Sequence, residues 1–394
     1  MKILCDQNMP YAYEAFSRLG QVTLKPGRQI GPDDVRDADL LFTRSTTKVG
    51  AGLLEGSHIR FYGSSVIGTD HIDIPYLERR GIPWCSAPGC NAESVANYIT
   101  AALFSLSGKN GFALAGKTAG VIGVGNVGTR VCRHLSSLGL RVLRNDPPVQ
   151  RRLADAGDPE AGRYVPLEEI LQEADILTLH VPLTNEGHDM TRHLLDAAAF
   201  GKMKHGVILM NAARGPVLDT DALLAALENG TVAHAVIDCW EGEPSFRTDL
   251  AARADLTTPH IAGHAYEGKV NGTAAVYRSA CSFLGVKAEE PFVLPPPPLP
   301  SWELDGKDAK TEIDEEALLR PLVLSVYDIE ADCHRFQKIC GLPERERASS
   351  FDKLRSTYPM RRQFDATEVL LKNVSARLGA KLQGLGFKVS QPVS

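Results

Sequence analysis

TAGVIGVGNVGTR, residues 118–130, is the stretch that best predicts how the central part of this chain folds. An apolar run leads directly into the glycine pattern Gly123-Val-Gly125-Asn-Val-Gly128 and then into a helical stretch. A strand that enters a helix through such a turn predicts a dinucleotide-binding site. The backbone can approach a pyrophosphate at Gly125, and the helix N-terminus offers free N–H groups to the phosphates. A purely structural glycine turn is the alternative reading of the same pattern.

The next apolar strand, RVLRND, ends at Asp146, which lies 18 residues beyond Gly128. A carboxylate at this place accepts hydrogen bonds from the ribose hydroxyls and repels a 2′-phosphate, so it favours NAD over NADP. Arg144 is close in sequence and weakens that preference. The predicted cofactor is NAD.

Short apolar strands alternate with helical stretches through most of the chain. The alternation predicts an α/β protein with two doubly wound parallel-sheet domains, Rossmann-like or flavodoxin-like, and a small α+β domain at the C-terminal end. Four consecutive prolines near residue 296 favour an extended, semi-rigid linker. The expected regions are a substrate-binding domain at 1–93 completed by about 262–288, an NAD-binding domain at 94–261, a proline-rich linker at 289–302 and a C-terminal domain at 303–394.

Composition narrows the classes of function. The chain has 394 residues, 43% of them hydrophobic, and a formal net charge of −5, which argues against a nucleic-acid or membrane-surface partner. No apolar run approaches the roughly 18 residues of a membrane-spanning helix, and MKILCDQNMP does not resemble a signal peptide. The eight cysteines show no metal-type spacing, so we expect no metal site and a reducing, cytoplasmic location.

Polar residues with catalytic chemistry follow three apolar strands downstream of the glycine turn. Arg214 follows VILMNAA, the carboxylates Asp238, Glu241 and Glu243 follow AVI, and His260 follows DLTTP. A guanidinium can bind a substrate carboxylate bidentately, and a carboxylate beside an imidazole fixes its tautomer. Each residue taken alone also fits a solvated turn, and for Glu241 that is the interpretation adopted. Together they predict a site that oxidises a hydroxy acid.

These residues resemble the D-isomer-specific 2-hydroxyacid dehydrogenases over residues 1 to about 288. The resemblance implies an NAD-dependent oxidoreductase in which Arg214 binds the substrate. It also implies that His260 is the proton donor and acceptor and that Glu243 is the acid paired with it. The motifs that carry the resemblance are GVGNVG (123–128), ILTLHVPLT (176–184), NAARGPVLD (211–219), DCWEGEP (238–244) and PHIAG (259–263).

The same resemblance assigns the cofactor contacts. Asp238 matches the residue that holds the nicotinamide carboxamide, and Thr178 and Gly263 fall at cofactor-contacting positions. The residues expected to bind NAD are Gly123, Gly125, Asn126, Val127, Gly128, Asp146, Thr178, Asp238 and Gly263.

Within the family, the chain is most similar to members that oxidise 4-phospho-D-erythronate to 2-oxo-3-hydroxy-4-phosphobutanoate in pyridoxal 5′-phosphate biosynthesis. General family members lack the C-terminal region, and in these members it is a dimerisation domain. The resemblance thus implies a phosphorylated hydroxy-acid substrate and a homodimer formed through that region. The motifs are MKILCDQNMP (1–10), RSTTKV (44–49), GTDH (68–71), SAPGCNA (86–92), GHAYEGK (263–269) and FDKLRSTYPMRRQF (351–364).

The expected substrate contacts are Arg44, Ser45, Val66 and His264. Cations and hydroxyls in RSTTK, residues 44–48, suit a phosphate, although a polar strand-end loop would look the same. The similar members usually have a threonine in place of Val66 and a tyrosine in place of His264. These two departures leave the reaction as expected but put the substrate preference in question.

Two other functions remain open at this point. One is another D-2-hydroxyacid dehydrogenase of the phosphoglycerate or hydroxypyruvate type, and the other is a non-catalytic NADH-responsive binding protein on the same scaffold. A further hypothesis concerns Arg361 and Arg362, which either complete the phosphate site of a neighbouring subunit or pair with acids at the dimer interface.

Overall fold

The computed structural model describes residues 1–391 of the chain. These residues form two compact units. The first unit comprises Met1–Ala92 and His264–Pro295, and the second comprises Glu93–Gly263 and the chain from Pro296 onwards. The second unit therefore contains both the glycine-rich nucleotide region and the C-terminal region.

Helices and strands alternate throughout the described chain. The strands are β1 Lys2–Asp6, β2 Gln21–Lys25, β3 Leu40–Thr43, β4 Phe61–Ser64, β5 Trp84–Cys85, β6 Thr118–Ile122, β7 Arg141–Asn145, β8 Ile176–Leu179, β9 Val207–Asn211, β10 Val232–Ile237, β11 Leu256–Thr257, β12 Ser301–Asp305, β13 Glu368–Lys372 and β14 Lys388–Ser390. The α-helices are α1 Ala12–Phe16, α2 Pro32–Val35, α3 Ala51–Leu54, α4 Ile74–Arg79, α5 Ala92–Asn110, α6 Asn126–Ser137, α7 Pro147–Asp155, α8 Leu167–Glu173, α9 Ala197–Phe200, α10 Thr220–Glu228, α11 Thr248–Arg253, α12 Tyr266–Leu284, α13 Glu312–Val326, α14 Ile329–Cys340, α15 Glu344–Ser356 and α16 Ala376–Gly384. Short 3-10 helices lie at Gly27–Gln29, Pro159–Arg163, Gly215–Val217 and Phe364–Ala366.

The first unit is built on a five-stranded parallel sheet in the order β2-β1-β3-β4-β5. This is the flavodoxin-like order of a doubly wound sheet. All residues of β3 and β4 are buried, as expected for central strands covered on both faces. On one face Phe16 stacks on Phe42 with ring centroids 4.0 Å apart, and Tyr277 of α12 packs edge-on against Phe16. The chain therefore returns after residue 263 to complete this unit.

The nucleotide part of the second unit is a six-stranded parallel sheet in the order β11-β10-β9-β8-β6-β7. Tyr164 makes an isolated parallel bridge to Arg144 on the outer side of β7, where a short further strand would lie. Counting that bridge as a strand, the sheet has the 3-2-1-4-5-6 arrangement of dinucleotide-binding sheets, with β11 as a seventh strand beside β10. The order reverses between β6 and β8, so the glycine turn after β6 lies at the point where such sheets bind their ligands.

The C-terminal part of the second unit contains a three-stranded parallel sheet, β12-β13-β14, and the helices α13 to α16. The Asp328 side chain caps α14 by accepting a hydrogen bond from the Ala331 N–H at 3.0 Å. The buried Glu316 carboxylate of α13 accepts hydrogen bonds from the backbone N–H groups of Leu114 and Ala115 at 2.9 and 2.6 Å. These contacts attach the C-terminal part directly to the segment that precedes β6.

The expected fold class of doubly wound parallel sheets with a small additional sheet is confirmed. The apolar runs that predicted strands became strands, and the runs are continuous because both faces of each central strand are covered. Within residues 1–391, no helix is long and apolar enough to cross a membrane.

Candidate active site

The glycine turn between β6 and α6 has a geometry that only small residues allow. Gly123 has φ +88°, and a Cβ at this position would lie 2.6 Å from the carbonyl carbon of His180. A Cβ at Gly128 would lie 1.9 Å from the carbonyl oxygen of Gly123. By contrast, no described atom beyond its chain neighbours lies within 4 Å of the Cβ position of Gly125. The backbone at Gly125 is thus open to a phosphate, while its neighbours pack tightly.

Asp146 lies at the end of β7 and faces this turn. One carboxylate oxygen accepts a hydrogen bond from the Val124 N–H at 2.8 Å, and the other caps α7 by accepting from the Val149 N–H at 3.1 Å. A carboxylate oxygen can accept more than one hydrogen bond, so ribose hydroxyls can still be bound. The nearby Arg144 guanidinium lies 3.9 Å from Glu160, whose charge offsets its attraction for a 2′-phosphate.

The other expected cofactor residues surround the same end of the sheet. Asn126 and Val127 begin α6, and Thr178 is a buried residue of β8. Thr178 Oγ1 lies 2.9 Å from Nε2 of His180, and burial lowers the pKa of His180 to about 3. His180 therefore stays neutral at physiological pH. Sequence reasoning did not single it out, although it stands in the LHVPL stretch directly after β8.

His260 and Glu243 form a hydrogen-bonded pair. Nδ1 of His260 lies 2.6 Å from Oε1 of Glu243, and both side chains are about three-quarters buried. Burial opposes ionisation of Glu243, but the charge and hydrogen bond of His260, together with the charge of Arg355, outweigh it. The pKa of Glu243 therefore lies below its ordinary value. The second oxygen of Glu243 accepts a hydrogen bond from the Trp240 N–H at 3.3 Å.

Asp238 is buried beneath the loop that carries His260. Its carboxylate accepts hydrogen bonds from the Thr258 hydroxyl at 2.6 Å and from the N–H groups of Ile261 and Ala262 at 2.7 and 3.0 Å. Burial raises the pKa of Asp238, against the opposing effects of the His260 charge and these donors. The structure thus uses Asp238 to shape the loop around His260, and its expected contact with the nicotinamide stays a prediction.

Arg214 follows β9, the strand next to β10 in the sheet. Its Nη1 donates to the carbonyl of Ala213 at 2.8 Å, and its own carbonyl accepts from the Asn211 side chain at 3.0 Å. A Cβ at the next residue, Gly215, would lie 1.9 Å from the carbonyl carbon of Trp240. The loop after β9 therefore packs directly on the loop that carries Glu243. The three adjacent strands β9, β10 and β11 present Arg214, Glu243 and His260 at one edge of the sheet.

Comparisons with known proteins identify this arrangement. The model of the D-isomer specific 2-hydroxyacid dehydrogenase NAD binding domain matches residues 94–262. The erythronate-4-phosphate dehydrogenase of Cronobacter sakazakii is 44% identical over 392 residues, which cover 99% of this chain and 99% of that protein. The chain belongs to the D-isomer specific 2-hydroxyacid dehydrogenase family. The enzyme of the same name from Azotobacter vinelandii is 43% identical over 388 residues, or 98% of this dehydrogenase and 99% of that protein.

A solved structure agrees with the family. The D-lactate dehydrogenase of Aquifex aeolicus, complexed with NAD and lactic acid, is 25% identical with a TM-score of 0.59. The match covers 72% of this chain and 96% of that one.

A domain of unknown function, DUF3410, matches residues 293–386. The prediction of an NAD-dependent D-2-hydroxyacid dehydrogenase is confirmed, and so is NAD as its cofactor.

The dehydrogenase contains a second histidine–glutamate pair that the sequence did not predict. Nε2 of His193 lies 2.7 Å from Oε1 of Glu241, and the other oxygen of Glu241 accepts a hydrogen bond from the Thr220 hydroxyl at 2.8 Å. Burial raises the pKa of Glu241, but the contacts to His193 and Thr220 together lower it by more than burial raises it. The pKa of Glu241 is therefore below its ordinary value. Glu241 lies in a turn, as expected, but its side chain is bonded to His193 and Thr220 and is only 27% exposed, so it is not a purely solvated residue.

The expected substrate residues Arg44, Ser45, Val66 and His264 belong to the first unit. Arg44 and Ser45 follow β3, in a loop held by a hydrogen bond from the Thr47 hydroxyl to the carbonyl of Gly27 at 2.8 Å. Val66 follows β4, and its carbonyl accepts from the Ala87 N–H at 3.0 Å. These strand-end positions match the location of ligand sites in parallel sheets. His264 lies two residues before α12, and Gly263 closes the nucleotide part of the second unit.

Arg361 and Arg362 are both buried, at 6% and 7% exposure. One Arg361 nitrogen donates hydrogen bonds to the carbonyls of Ser94 and Ala262 within the same unit. The structure therefore uses the Arg361 guanidinium inside its own chain, and the hypothesis that Arg361 and Arg362 act at a neighbouring subunit stays a hypothesis.

Proposed function

We propose that this dehydrogenase oxidises 4-phospho-D-erythronate at C2, giving 2-oxo-3-hydroxy-4-phosphobutanoate, as a step of pyridoxal 5′-phosphate biosynthesis. The observation that carries the proposal is the extent of the similarity to the relatives named for this substrate. That similarity runs over 99% of the chain, including the C-terminal region, whereas the D-lactate dehydrogenase structure matches 72%. The C-terminal region thus accompanies the similarity to the erythronate 4-phosphate enzymes.

His260 is the proposed proton acceptor. Its Nδ1 faces Glu243, so the neutral ring carries its hydrogen on Nδ1 and offers Nε2 to the C2 hydroxyl of the substrate. Glu243 holds this tautomer and stabilises the imidazolium that forms when the proton is taken. In the reverse direction the same imidazolium returns the proton to the 2-oxo group.

Arg214 is the proposed carboxylate-binding residue. A guanidinium can donate two parallel hydrogen bonds to a carboxylate, which fixes the plane of the substrate next to its C2 atom. The bond from Nη1 to the Ala213 carbonyl and the packing of Gly215 on Trp240 restrict the side chain and its loop. Such restriction lowers the entropy that must be lost when the substrate binds.

The cofactor residues support hydride chemistry at the same sheet edge. When bound there, NAD+ would supply the hydride acceptor for the oxidation at C2. The open backbone at Gly125 and the N-terminus of α6 would hold the pyrophosphate, and Asp146 would accept hydrogen bonds from the ribose. We propose the same role of cofactor contact for Asn126, Val127, Thr178, Asp238 and Gly263.

The loop at residues 44–48 in the first unit is the proposed phosphate-binding loop. It combines Arg44 and Lys48 with three hydroxyl side chains. Ser45 and Lys48 are exposed and lie outside the helices and strands. Phosphate oxygens accept hydrogen bonds from both kinds of donor. Val66 and His264 are proposed as further substrate contacts, of which only His264 can donate a hydrogen bond from its side chain.

The proposal also includes a homodimer formed through residues 303–394 and a cytoplasmic location. The dimer rests on the resemblance of the C-terminal region, which lies within the 99% of the chain that the similarity to the Cronobacter sakazakii enzyme covers. Light scattering of the whole chain and of a chain ending at residue 295 would test it, with a monomeric full chain contradicting this part of the proposal.

The experiment that tests the reaction is turnover of the purified protein with NAD+. It compares 4-phospho-D-erythronate, 3-phospho-D-glycerate and D-glycerate, with a 2-oxo acid added as electron acceptor in case the reduced cofactor stays bound. We expect the highest kcat/KM with 4-phospho-D-erythronate. His260→Asn serves as the matched control, since it should bind NAD and show almost no turnover.

Two results would contradict the proposal in different ways. A preference for another acid would leave the proposed chemistry standing and refute the proposed substrate. Val66→Thr and His264→Tyr would then be the first variants to make, since the similar members usually have these residues. Cofactor binding without turnover on any of the three acids would refute the assigned substrate class altogether.

A further inference from the structure

The C-terminal region, whose family model is a domain of unknown function, packs against the loop that carries His260. We propose that this region positions the catalytic histidine, and that Arg361 is the positioning residue that makes the decisive contact. The inference rests on the proposed role of His260 as the proton acceptor. It gives the region a part in the chemistry of its own chain, which is separate from any part in dimer formation.

The loop around His260 needs to be held on several sides. His260 has φ +56°, a left-handed conformation that residues with a side chain rarely adopt without support. On one side of the loop, its N–H groups are bound by Asp238: that of His260 donates to the Asp238 carbonyl at 2.8 Å, and those of Ile261 and Ala262 donate to its carboxylate. The nucleotide part of the unit thus supplies the acceptors for this loop.

Arg361 supplies the donor for the opposite side of the same loop. Its Nη2 donates to the carbonyl of Ala262, two residues after His260, and to the carbonyl of Ser94 at 3.3 Å. The guanidinium lies over the ring of Tyr327, 4.3 Å from the ring centroid. Arg361 as a whole is 6% exposed. A buried, ring-stacked guanidinium has little freedom to move. The Ala262 carbonyl is therefore fixed by a rigid group from the C-terminal region.

The C-terminal region also contacts the residues just before His260. The Gln337 side chain of α14 donates to the Thr257 hydroxyl at 2.7 Å. Sγ of Cys333, on the same helix, lies 3.4 Å from the Thr257 nitrogen. Both ends of the histidine loop, at Thr257 and at Ala262, are thus bound by residues beyond position 328.

The glutamate loop is supported from the same side. Trp240, whose N–H donates to Glu243, stacks on Phe336 of α14 with ring centroids 5.0 Å apart. Phe246 packs between Phe336 and Phe351 at 4.6 and 5.8 Å. The C-terminal region thus holds both members of the His260–Glu243 pair, and through them the 2.6 Å contact between the two side chains.

A simpler explanation is that Arg361 only stabilises the unit. The two explanations differ in what they predict for folded protein. A purely structural residue changes the unfolding temperature and leaves the kinetics of the remaining folded molecules alone. A positioning residue changes kcat more than NAD affinity, and it alters the pH dependence of kcat because the contact between His260 and Glu243 is no longer maintained.

The test uses the full-length protein with the 2-hydroxy acid that it oxidises best. The variants are Arg361→Met, Arg361→Lys and, as a matched control, Arg377→Met. Arg377 is a C-terminal arginine that bonds the buried Glu315 of α13 at 2.9 Å instead of the histidine loop. For each we would measure the unfolding temperature, NADH affinity by fluorescence, kcat, KM and the pH profile of kcat. If Arg361→Met does not fold, Gln337→Leu replaces it.

We expect kcat of Arg361→Met to fall by roughly tenfold to a hundredfold, since small displacements of catalytic groups have effects of this size. NADH affinity should change little, the midpoint of the pH profile should move, and Arg361→Lys should recover part of kcat. Gln337→Leu should show a smaller change of the same kind. Arg377→Met should lower the unfolding temperature and leave kcat and its pH profile unchanged.

Two outcomes would overturn the inference. In one, folded Arg361→Met or Gln337→Leu keeps the wild-type kcat and pH profile. In the other, Arg377→Met changes both as much as Arg361→Met does. Failure of the proposed role of His260 would look different, because His260→Asn would then be as active as the wild type whatever the Arg361 variants do.

Discussion

The loop after β10 carries two glutamates, and each forms a hydrogen bond with a histidine. The distances are nearly equal, 2.6 Å for His260 and Glu243 and 2.7 Å for His193 and Glu241. Both histidines have left-handed backbones, with φ +56° and +50°. In each pair the pKa of the glutamate lies below its ordinary value. Judged by the pair alone, either one could be the catalytic dyad.

The surroundings of the two histidines separate them. His260 lies in the loop after β11, beside the loops after β10 and β9 that carry Glu243 and Arg214. Its loop is bound by Asp238 and Arg361. His193 instead lies in the segment after β8 and donates its N–H to the carbonyl of Pro216 at 2.7 Å. The second pair therefore ties neighbouring loops together. A histidine–carboxylate contact indicates catalysis only where the fold also places it at the ligand end of the sheet.

The strongest test of this difference replaces each histidine by asparagine. We expect His260→Asn to lower kcat by about 10²–10⁴-fold, the usual contribution of a positioned general base. His193→Asn should keep kcat within about threefold of the wild type, a change of about 0.6 kcal/mol in activation free energy. Steady-state turnover at saturating NAD+ and substrate measures both. Equal losses in the two variants would mean that the second pair takes part in the reaction.

The two glutamates provide a second test with a smaller effect. Glu243→Gln keeps the shape of the side chain but removes the charge that stabilises the imidazolium, so kcat should fall by about tenfold, or about 1.4 kcal/mol. Its stability should also drop by about 1.5–3 kcal/mol, the usual contribution of a hydrogen bond to a charged group. Glu241→Gln should lose stability with little change in kcat. A Glu243→Gln enzyme of wild-type activity would rule out the proposed dyad.

A third test displaces Arg214, the proposed carboxylate-binding residue, from the His260–Glu243 pair without replacing any of these three residues. Gly215→Ala would place a Cβ 1.9 Å from the Trp240 carbonyl carbon, so the loops after β9 and β10 must move apart. Forced overpacking of this kind costs about 1–3 kcal/mol, and we expect kcat to fall together with the unfolding temperature. Gly341→Ala is the control, because no described atom beyond its chain neighbours lies within 4 Å of its Cβ position. Unchanged kcat in Gly215→Ala would show that the two loops can separate freely.

The sequence predicted the parts of this site that depend on local pattern. The turn from Gly123 to Gly128 and the strand-end position of His260 follow from the order of apolar and polar residues, which sets strands, helices and their ends. The His193–Glu241 pair and the Arg361–Ala262 contact could not be predicted in this way. They join residues 48 and 99 positions apart, and such contacts depend on how the loops fold back after the strands have formed.

The family resemblance carried the prediction further than local pattern did, but only for residues that the motifs contain. It assigned Arg214, Glu243 and His260 their roles because NAARGPVLD, DCWEGEP and PHIAG match as units. It said nothing of Glu241, although that residue stands inside the same motif. The partner of Glu241 could not be predicted because His193 lies in a loop of irregular structure. In such a loop neither periodicity nor a motif fixes the direction of a side chain.

The smallest predicted effect concerns the pH dependence of the second pair. Because the pKa of Glu241 is lowered in the folded state, its ionised form stabilises the fold. This stabilisation is fully present above the pKa of an unfolded glutamate, about 4.3, and is lost as pH falls through the lower pKa of the folded state. Partly exposed pairs contribute about 0.2–1 kcal/mol, so Glu241→Gln should be less stable than the wild type by that amount near pH 6, and this difference should shrink as the pH falls below about 4.3. Urea unfolding across this range measures the difference, with the exposed Glu228→Gln as control. A gap that stays constant down to pH 3 would show that the Glu241 contact does not depend on its charge, and would leave its bond to Thr220 as the only contribution.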